Sequence, residues 1–342
     1  AFRKGDFRSG YYRDQTFMLA LGLMKVEQFF AQLYADAEND PFSGGRQMNA
    51  HFATPLIDEE GNWLDSKVQY NVSSDIAPTA GQMARALGLA LASKKYRENA
   101  ALADTHFSEA GNEVSFCTIG DASTSEGVFW ETLNAAAVQQ VPLAVFVWDD
   151  GYGISVPKKY QTTKASISEA ISGLQADADN PGFAIHRLRG WDYPQLVQQF
   201  QIGIEQVRNE HQPALFHVEE LTQPQGHSTS GSHERYKSKE RLKWEKEHDC
   251  ILQMERWMIA EGLATEEETK AIRKAAKAEA KAGRDKAWKA FNAPAQELLV
   301  TINSIYDALP QGDTNLQQLR DELGKHTHPQ VHEILSNARR LQ

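Results

Sequence analysis

Gly120-Asp121 and Asp149-Asp150 stand at the ends of two apolar runs, Val114 to Ile119 and Leu143 to Trp148, with an amphipathic stretch between them. The pattern predicts a strand, a sharp turn, a helix starting near Thr124 and a second strand: one parallel strand-helix-strand unit. Carboxylates from both strands then meet at the carboxyl edge of one sheet, where ligands of open α/β sheets bind. The helix start adds free N–H groups and a positive dipole end, which suit a phosphate. Two carboxylates cannot face a phosphate directly, and a divalent ion between them resolves the conflict. Mg²⁺, with its oxygen ligands and its habit of bridging to phosphates, fits best. Taken singly, Gly-Asp is an ordinary strand-to-helix turn and Asp-Asp-Gly an ordinary loop. Together they point to a site.

Other groups with chemical capacity are scattered along the chain. Arg13 stands near a helix start, where a cation is mildly unfavourable unless an anion sits beside it. His51 lies in an irregular stretch, residues 41 to 82, and long irregular segments inside compact domains are more often functional than structural. By itself His51 reads as a satisfied structural histidine. His227 and Ser228 lie in a polar, Gly-rich run from Gln223 to His233 that reads as a mobile surface loop. His326, His328 and His332 offer nitrogen ligands without a second ligand cluster, so a metal there is the weaker reading.

Composition narrows the class. With 342 residues and 41% apolar content the chain buries a substantial core as one large domain with appendages. A net charge of -10 leaves no basic surface for nucleic acid. Two cysteines, Cys117 in a predicted strand and Cys250 in a predicted helix, give neither a disulfide framework nor a thiolate metal cluster, which suggests a reducing cytoplasm. No apolar run reaches membrane-spanning length, so no membrane partner is expected. The abrupt start without an apolar leader reads as a piece of a longer chain.

The elements that must position these groups follow from periodicity. Tyr11 to Ala35 carries apolar residues at helical spacing, with Asp14 near its start. Pro78 to Ala92 is a helix rich in Gly and Ala, able to lie close to another backbone. After Pro157 the order is helix (166 to 174), strand (183 to 188), helix (193 to 209) and strand (214 to 219), which extends a parallel sheet covered on both faces. Residues 234 to 291 read as long charged helices, and the charge run from Lys270 to Lys289 as a solvated helix face. Residues 294 to 342 read as a helix pair broken at Pro310-Gln311-Gly312, a tail or linker towards a partner domain.

From Gly120 to Pro157 the chain resembles the thiamine-diphosphate motif of the 2-oxo acid dehydrogenases, specifically the alpha-type chain of their first, decarboxylating component. The matching residues are Gly120-Asp121-Ala122, Glu131 and Asn134 on the helix, Pro142, and Asp149-Asp150-Gly151-Tyr152-Gly153-Ile154-Ser155, aligned without a gap. Three more segments resemble the family in the right order: Tyr12-Arg13-Asp14, Gly45 to His51, and Gly226-His227-Ser228-Thr229-Ser230, each in the spelling of branched-chain enzymes.

The resemblance implies a doubly wound parallel α/β sheet of the thiamine-diphosphate-binding type with a C-terminal helical extension. It implies a cofactor-binding domain over 1–233, further helices of that domain over 234–292 and a helical tail over 293–342. Asp121 and Asp150, with the Tyr152 carbonyl, are the implied Mg²⁺ ligands. Tyr12 and Arg13 take diphosphate oxygens, and Gly120, Ala122 and Ser123 line the motif turn. Ser74 and Ile76 belong to a loop that supports the bent cofactor. His227 faces the reacting centre, with His51 and Ser228 in attendance. The implied reaction is oxidative decarboxylation of a branched-chain 2-oxo acid, with acyl transfer to a lipoyl group. The implied partners are a beta-type chain or domain, which completes the site in a two-alpha two-beta assembly, and a lipoyl acyltransferase. A transketolase-like transferase and a cofactor-free assembly subunit are the rival readings.

Four positions depart from the family pattern. Ala122 replaces a Gly, Asp150 a metal-binding Asn, and Trp148 and Gln223 each an Arg. Three of the changes make the pocket less positive, so metal-free cofactor affinity is expected to be weaker than in relatives.

Overall fold

Runs of Val, Ile, Leu and Phe without polar alternation belong to strands buried on both faces, and the two such runs around Asp121 and Asp149 form the centre of a six-stranded parallel sheet. The structure is a computed structural model that describes residues 1–46, 50–103, 105–227, 232–310 and 312–341. The strand order is β2 (Asn71–Val72), β1 (Phe7–Ser9), β3 (Ser115–Gly120), β4 (Leu143–Trp148), β8 (Ala214–Glu219) and β7 (Ala184–Arg189), every pair parallel. In chain order β1 leads to a neighbour on one side and β3 to a neighbour on the other. The crevice at their carboxyl ends is therefore the switch point at which such sheets bind ligands. A two-stranded hairpin, β5 (Tyr152–Gly153) with β6 (Val156–Pro157), follows β4 directly.

Alternate residues of each central strand feed two apolar clusters. On one face Cys117, Ile119, Val145 and Val147 pack on Met83 and Ala86 of α3 (Gln82–Glu98) and on Phe129 and Leu133 of α4 (Gly127–Gln139). On the other, Phe116, Phe146 and Phe216 stack beneath Ile204 and Val207 of α6 (Tyr193–Glu210). The sheet is thus doubly wound, as expected. The short helix α5 (Ile167–Ala170) and helices α7 (Lys239–Glu247) and α8 (Cys250–Ala260) complete the first of two compact units, Ala1–Phe17 with Ala50–Arg273. The second unit, Met18–Asn49 with Lys274–Gln342, holds α2 (Val26–Leu33), α10 (Thr314–Gly324) and α11 (Val331–Arg339). In it Tyr306, Leu319, Leu323 and Ile334 form a separate small core. Helices α1 (Gln15–Ala20) and α9 (Glu266–Ala308) carry the chain from one unit to the other.

Several elements differ in extent from the sequence reading. The single helix expected over Tyr11 to Ala35 is two, because Gly22 adopts a left-handed backbone (φ +70°) between α1 and α2. The helix expected from Thr124 begins at Gly127, after one 3₁₀ turn over Ala122–Ser125. The charged run after Ser238 is three helices, and α9 passes through Pro294 without a break. Among the described residues no helix is long and apolar enough to cross a membrane.

Two buried arginines tie the first unit together. Arg208 on α6 makes a two-pronged pair with Asp6 (2.8 and 2.9 Å), whose Oδ1 also accepts the Val114 N–H ahead of β3. Arg8, fully buried on β1, donates to Asp14 through Nε (2.9 Å) and Nη2 (2.6 Å), and to both oxygens of Asp75 through Nη1 (3.1 and 3.0 Å). Gly10 makes room for this fold-back, since a Cβ there would strike the Arg8 guanidinium and the Asp14 carboxylate. Removing one partner from a buried ion pair leaves an uncompensated charge. Arg8→Met is therefore expected to destabilise the chain by about 3–5 kcal/mol, read from urea unfolding; a loss below about 1 kcal/mol would show that the two acids do not need it.

Candidate active site

The carboxyl edge of β1, β3 and β4 opens into a cleft of about 720 Å³, within the usual range for a small-molecule or cofactor site. Gly120, Asp121, Ala122 and Ser123 line it from the turn after β3, and Asp150 and Tyr152 from the turn after β4. Tyr12, Arg13 and His227 line it from the segments after β1 and β8. His51, Ser74 and Ile76 are absent from its wall. His51 is buried elsewhere in the unit, the Ser74 carbonyl accepts from Arg85, and Ile76 packs where a Cβ on Gly81 would fall. Ser228, and Gln47 to Asn49 of the segment before His51, lie outside the described residues.

Asp121 is the group on which the cleft turns. Its backbone N–H donates to the Trp148 carbonyl (3.1 Å), and its own carbonyl accepts the Thr124 hydroxyl (2.6 Å), so the turn is held at both ends. Its Oδ2 is buried and has no hydrogen-bond partner, an arrangement that costs free energy unless a ligand answers it. Burial, then the nearby Asp149 and Asp150 carboxylates, push the Asp121 carboxyl up to about 8. Burial likewise raises Asp150, with the Tyr152 N–H and Arg13 opposing it. A buried carboxylate oxygen without a donor, beside a second acid raised by desolvation, is a donor set that a divalent cation fits.

Asp149, next in sequence to Asp150, does something different. It is 1% exposed, and its Oδ2 accepts from Lys158 Nζ (2.7 Å) and meets His217 Nε2 (2.9 Å). Burial pushes its carboxyl up, but the hydrogen bond from His217 and the charge of Lys158 outweigh that and hold it below the usual range. Asp149, His217 and Glu219 bring ligand atoms within 4.8 Å of one another, the only such trio among the described residues. The Lys158 ammonium already sits among them, 3.6 Å from Glu219, so the cation there belongs to the protein. His326, His328 and His332 form no comparable group; His328 packs edge-on to Trp288.

The departures from the family pattern can be placed. Ala122 lies in the 3₁₀ turn and is not among the left-handed residues, so losing a Gly there causes no backbone strain. Trp148 and Gln223 both line the cleft, where, with Asp14 already paired to the buried Arg8, the carboxylates of Asp121 and Asp150 face Arg13 as the one arginine among the described lining residues. Sequence reasoning missed Tyr11, Phe17, Gln161 and Leu221, also on the wall. They sit in different segments with no shared motif, and no signal in the sequence picks them out. Ile154 lines the wall with a left-handed backbone (φ +57°), a conformation uncommon for a β-branched residue and typical of functional sites.

The sequence model of the family described as dehydrogenase E1 component matches residues 1–296. Among curated relatives, the 2-oxoisovalerate dehydrogenase subunit alpha of Bacillus subtilis is 27% identical over 266 residues, 78% of this chain and 69% of that one. The mitochondrial 2-oxoisovalerate dehydrogenase subunit alpha of Mus musculus is 27% identical over 334 residues, and that of Caenorhabditis elegans 28% over 330. Each alignment covers 95% of this chain, but only 64% of the mouse protein and 66% of the nematode one. The chain thus spans about two thirds of the length of these relatives.

A carboxyl whose folded value lies above its unfolded one binds extra protons in the folded state, so its contribution to stability is lost as pH rises from about 4 to about 8. Without divalent ions the melting temperature is expected to fall between pH 6 and pH 9 by more in the native chain than in Asp121→Asn. Added Mg²⁺ should remove that difference. Parallel pH curves for the two proteins, measured by scanning calorimetry, would refute the assignment.

Proposed function

The chain belongs to the dehydrogenase E1 component family, and from that premise we propose that it supplies the Mg²⁺-diphosphate half of a thiamine-diphosphate site in a branched-chain 2-oxo acid dehydrogenase. The observation that carries this is the buried, unpartnered Asp121 Oδ2 at the end of β3, with Asp150 lining the same cleft from the end of β4. The names of the relatives above print 2-oxoisovalerate, which supports a branched-chain 2-oxo acid as the substrate class. They also print 'subunit alpha', which supports a beta-type partner that would complete the site.

When bound, thiamine diphosphate supplies the carbanion and electron-sink chemistry that loss of CO₂ from a 2-oxo acid needs. The rest falls to this chain. Asp121, Asp150 and the Tyr152 carbonyl would hold Mg²⁺. Arg13, whose guanidinium stacks over Tyr12 at 5.0 Å from the ring centroid, takes a diphosphate oxygen with Tyr12 beside it. Gly120, Ala122 and Ser123 let the pyrophosphate approach the turn. Ser74 and Ile76 support the ring system, which in this chain requires their loop to contribute from beyond the described cleft wall. His227, which lines the cleft, would hold or pass a proton at the reacting carbon; Ser228 and His51 would support it. The acyl acceptor would be the lipoyl disulfide of a separate acyltransferase, whose reduction to a dithiol takes up the two electrons, and the assembly would hold two alpha and two beta chains. The transketolase-like alternative draws no support from the relatives described above.

The excess of acids over cations in the cleft makes the metal decisive. Thiamine diphosphate titrated by calorimetry is expected to bind about a hundredfold more tightly with Mg²⁺ than without, a difference of about 2.8 kcal/mol. Asp150→Asn should narrow the gap by about tenfold by removing one charge beside the diphosphate. Equal affinity with and without Mg²⁺ in the native chain would defeat the metal-bridge reading.

Activity gives an independent check. In the assembled enzyme, Asp121→Ala is expected to lower 2-oxo acid decarboxylation by at least about a thousandfold, since the pre-organised electrostatics of the site go with the cation. Near-native turnover in that variant, assayed with an artificial electron acceptor, would reject the role of Asp121.

A further inference from the structure

We propose that Lys158, Asp149 and His217 form a positioning device that fixes the turn carrying Asp150 and Tyr152, with the Lys158 ammonium acting as a built-in counter-ion. The proposal rests on the reading that this turn holds a metal-bound diphosphate. None of the three residues lines the cleft; they act through its wall.

The geometry converges on two peptide units. Asp149 is pinned to the sheet by its N–H, which donates to the Val218 carbonyl (2.9 Å), and by its carbonyl, which accepts the Leu221 N–H (3.1 Å). Its Oδ1 then accepts the Gly151 N–H (2.8 Å), and Gly151 takes the left-handed backbone (φ +84°) that such a tight turn needs. Lys158 reaches the same turn twice. Its backbone N–H donates to the Gly151 carbonyl (2.9 Å) and its Nζ to Asp149 Oδ2 (2.7 Å). Between those anchors β5 and β6 pair as Tyr152 with Pro157 and Gly153 with Val156. The hairpin lies against the turn of the other acid, because a Cβ on Gly153 would come 2.8 Å from the Ala122 side chain.

His217, fully buried on β8, sets the direction of the Asp149 carboxylate. Its Nδ1 receives the Ser168 N–H (3.4 Å) and lies 3.0 Å from the Ser168 hydroxyl. Nδ1 is therefore the acceptor, and Nε2–H donates to Asp149. A neutral side chain can bridge Gly151 and His217 without a counter-charge, whereas a buried carboxylate needs one. Lys158 provides it, which makes Asp149 and Lys158 a unit that must change together.

The test uses the full chain with Mn²⁺ and thiamine diphosphate, reading bound Mn²⁺ by electron paramagnetic resonance and folding by the melting curve. If the folded native chain, assembled with its beta-type partner, binds no Mn²⁺-thiamine diphosphate, the functional reading fails before this one is engaged. Given native binding, Lys158→Met is expected to weaken Mn²⁺-thiamine diphosphate affinity by at least about tenfold, and Lys158→Arg to retain it within about threefold. Adding Asp149→Asn to Lys158→Met should bring affinity back to within about threefold of native. Native-like affinity in Lys158→Met would overturn the proposal, as would a double variant no better than the single one. Should Lys158→Met show no cooperative melt, the double variant decides alone: affinity near native supports the unit, and a loss beyond about tenfold overturns it.

Discussion

Everything at the working edge of this protein follows from the crowding of carboxylates where β3 and β4 end side by side. In-register parallel pairing, Gly120 opposite Trp148, brings Asp121, Asp149 and Asp150 to one partly desolvated place. Like charges in low dielectric cannot all stay ionised and unanswered. The chain answers one of them internally, through His217 and Lys158, and leaves the other two facing the cleft. That asymmetry separates a scaffold acid from acids available to a ligand, although the residues are chemically identical and two are neighbours in sequence.

The same logic recurs one strand away. Arg8 stands between Asp14 and Asp75 and also donates to the Tyr11 carbonyl (3.2 Å). Asp75 in turn accepts the Phe52 N–H (3.0 Å), next to His51. One buried cation therefore gathers the segment of Tyr12 and Arg13, the loop of Ser74 and Ile76, and the neighbourhood of His51. These motifs are separated by dozens of residues, and their common dependence on Arg8 explains how distant pieces of chain are held in one arrangement.

The ledger of charge in the cleft gives the chain its character. Trp148 and Gln223 occupy the cleft wall without adding charge, and Asp150 lines it together with Asp121. A site so poor in fixed positive charge would need a cation to hold an anionic ligand more than one furnished with arginines would. Local backbone cost is small by comparison, since Ala122 sits comfortably in its 3₁₀ turn.

Much of this was legible without coordinates. The apolar runs of β3 and β4, the turn residues between them and the four ordered motifs specified an α/β sheet, its family and most of the cleft wall, because strand burial and turn chemistry are local properties. Helix limits were less legible: Gly22 splits what periodicity joins, and the 3₁₀ turn at Ala122 delays α4, both settled by backbone conformations that composition does not reveal. What the sequence by itself determined was which chemistries were possible, since residue type and spacing are written there. The family resemblance had singled out Asp150, but tertiary structure alone decided that Asp150 lines the cleft while Asp149 is spent on Lys158 and His217. Alternation along a strand says that adjacent side chains diverge, but only the packing of β8 and the β5–β6 hairpin says to which side.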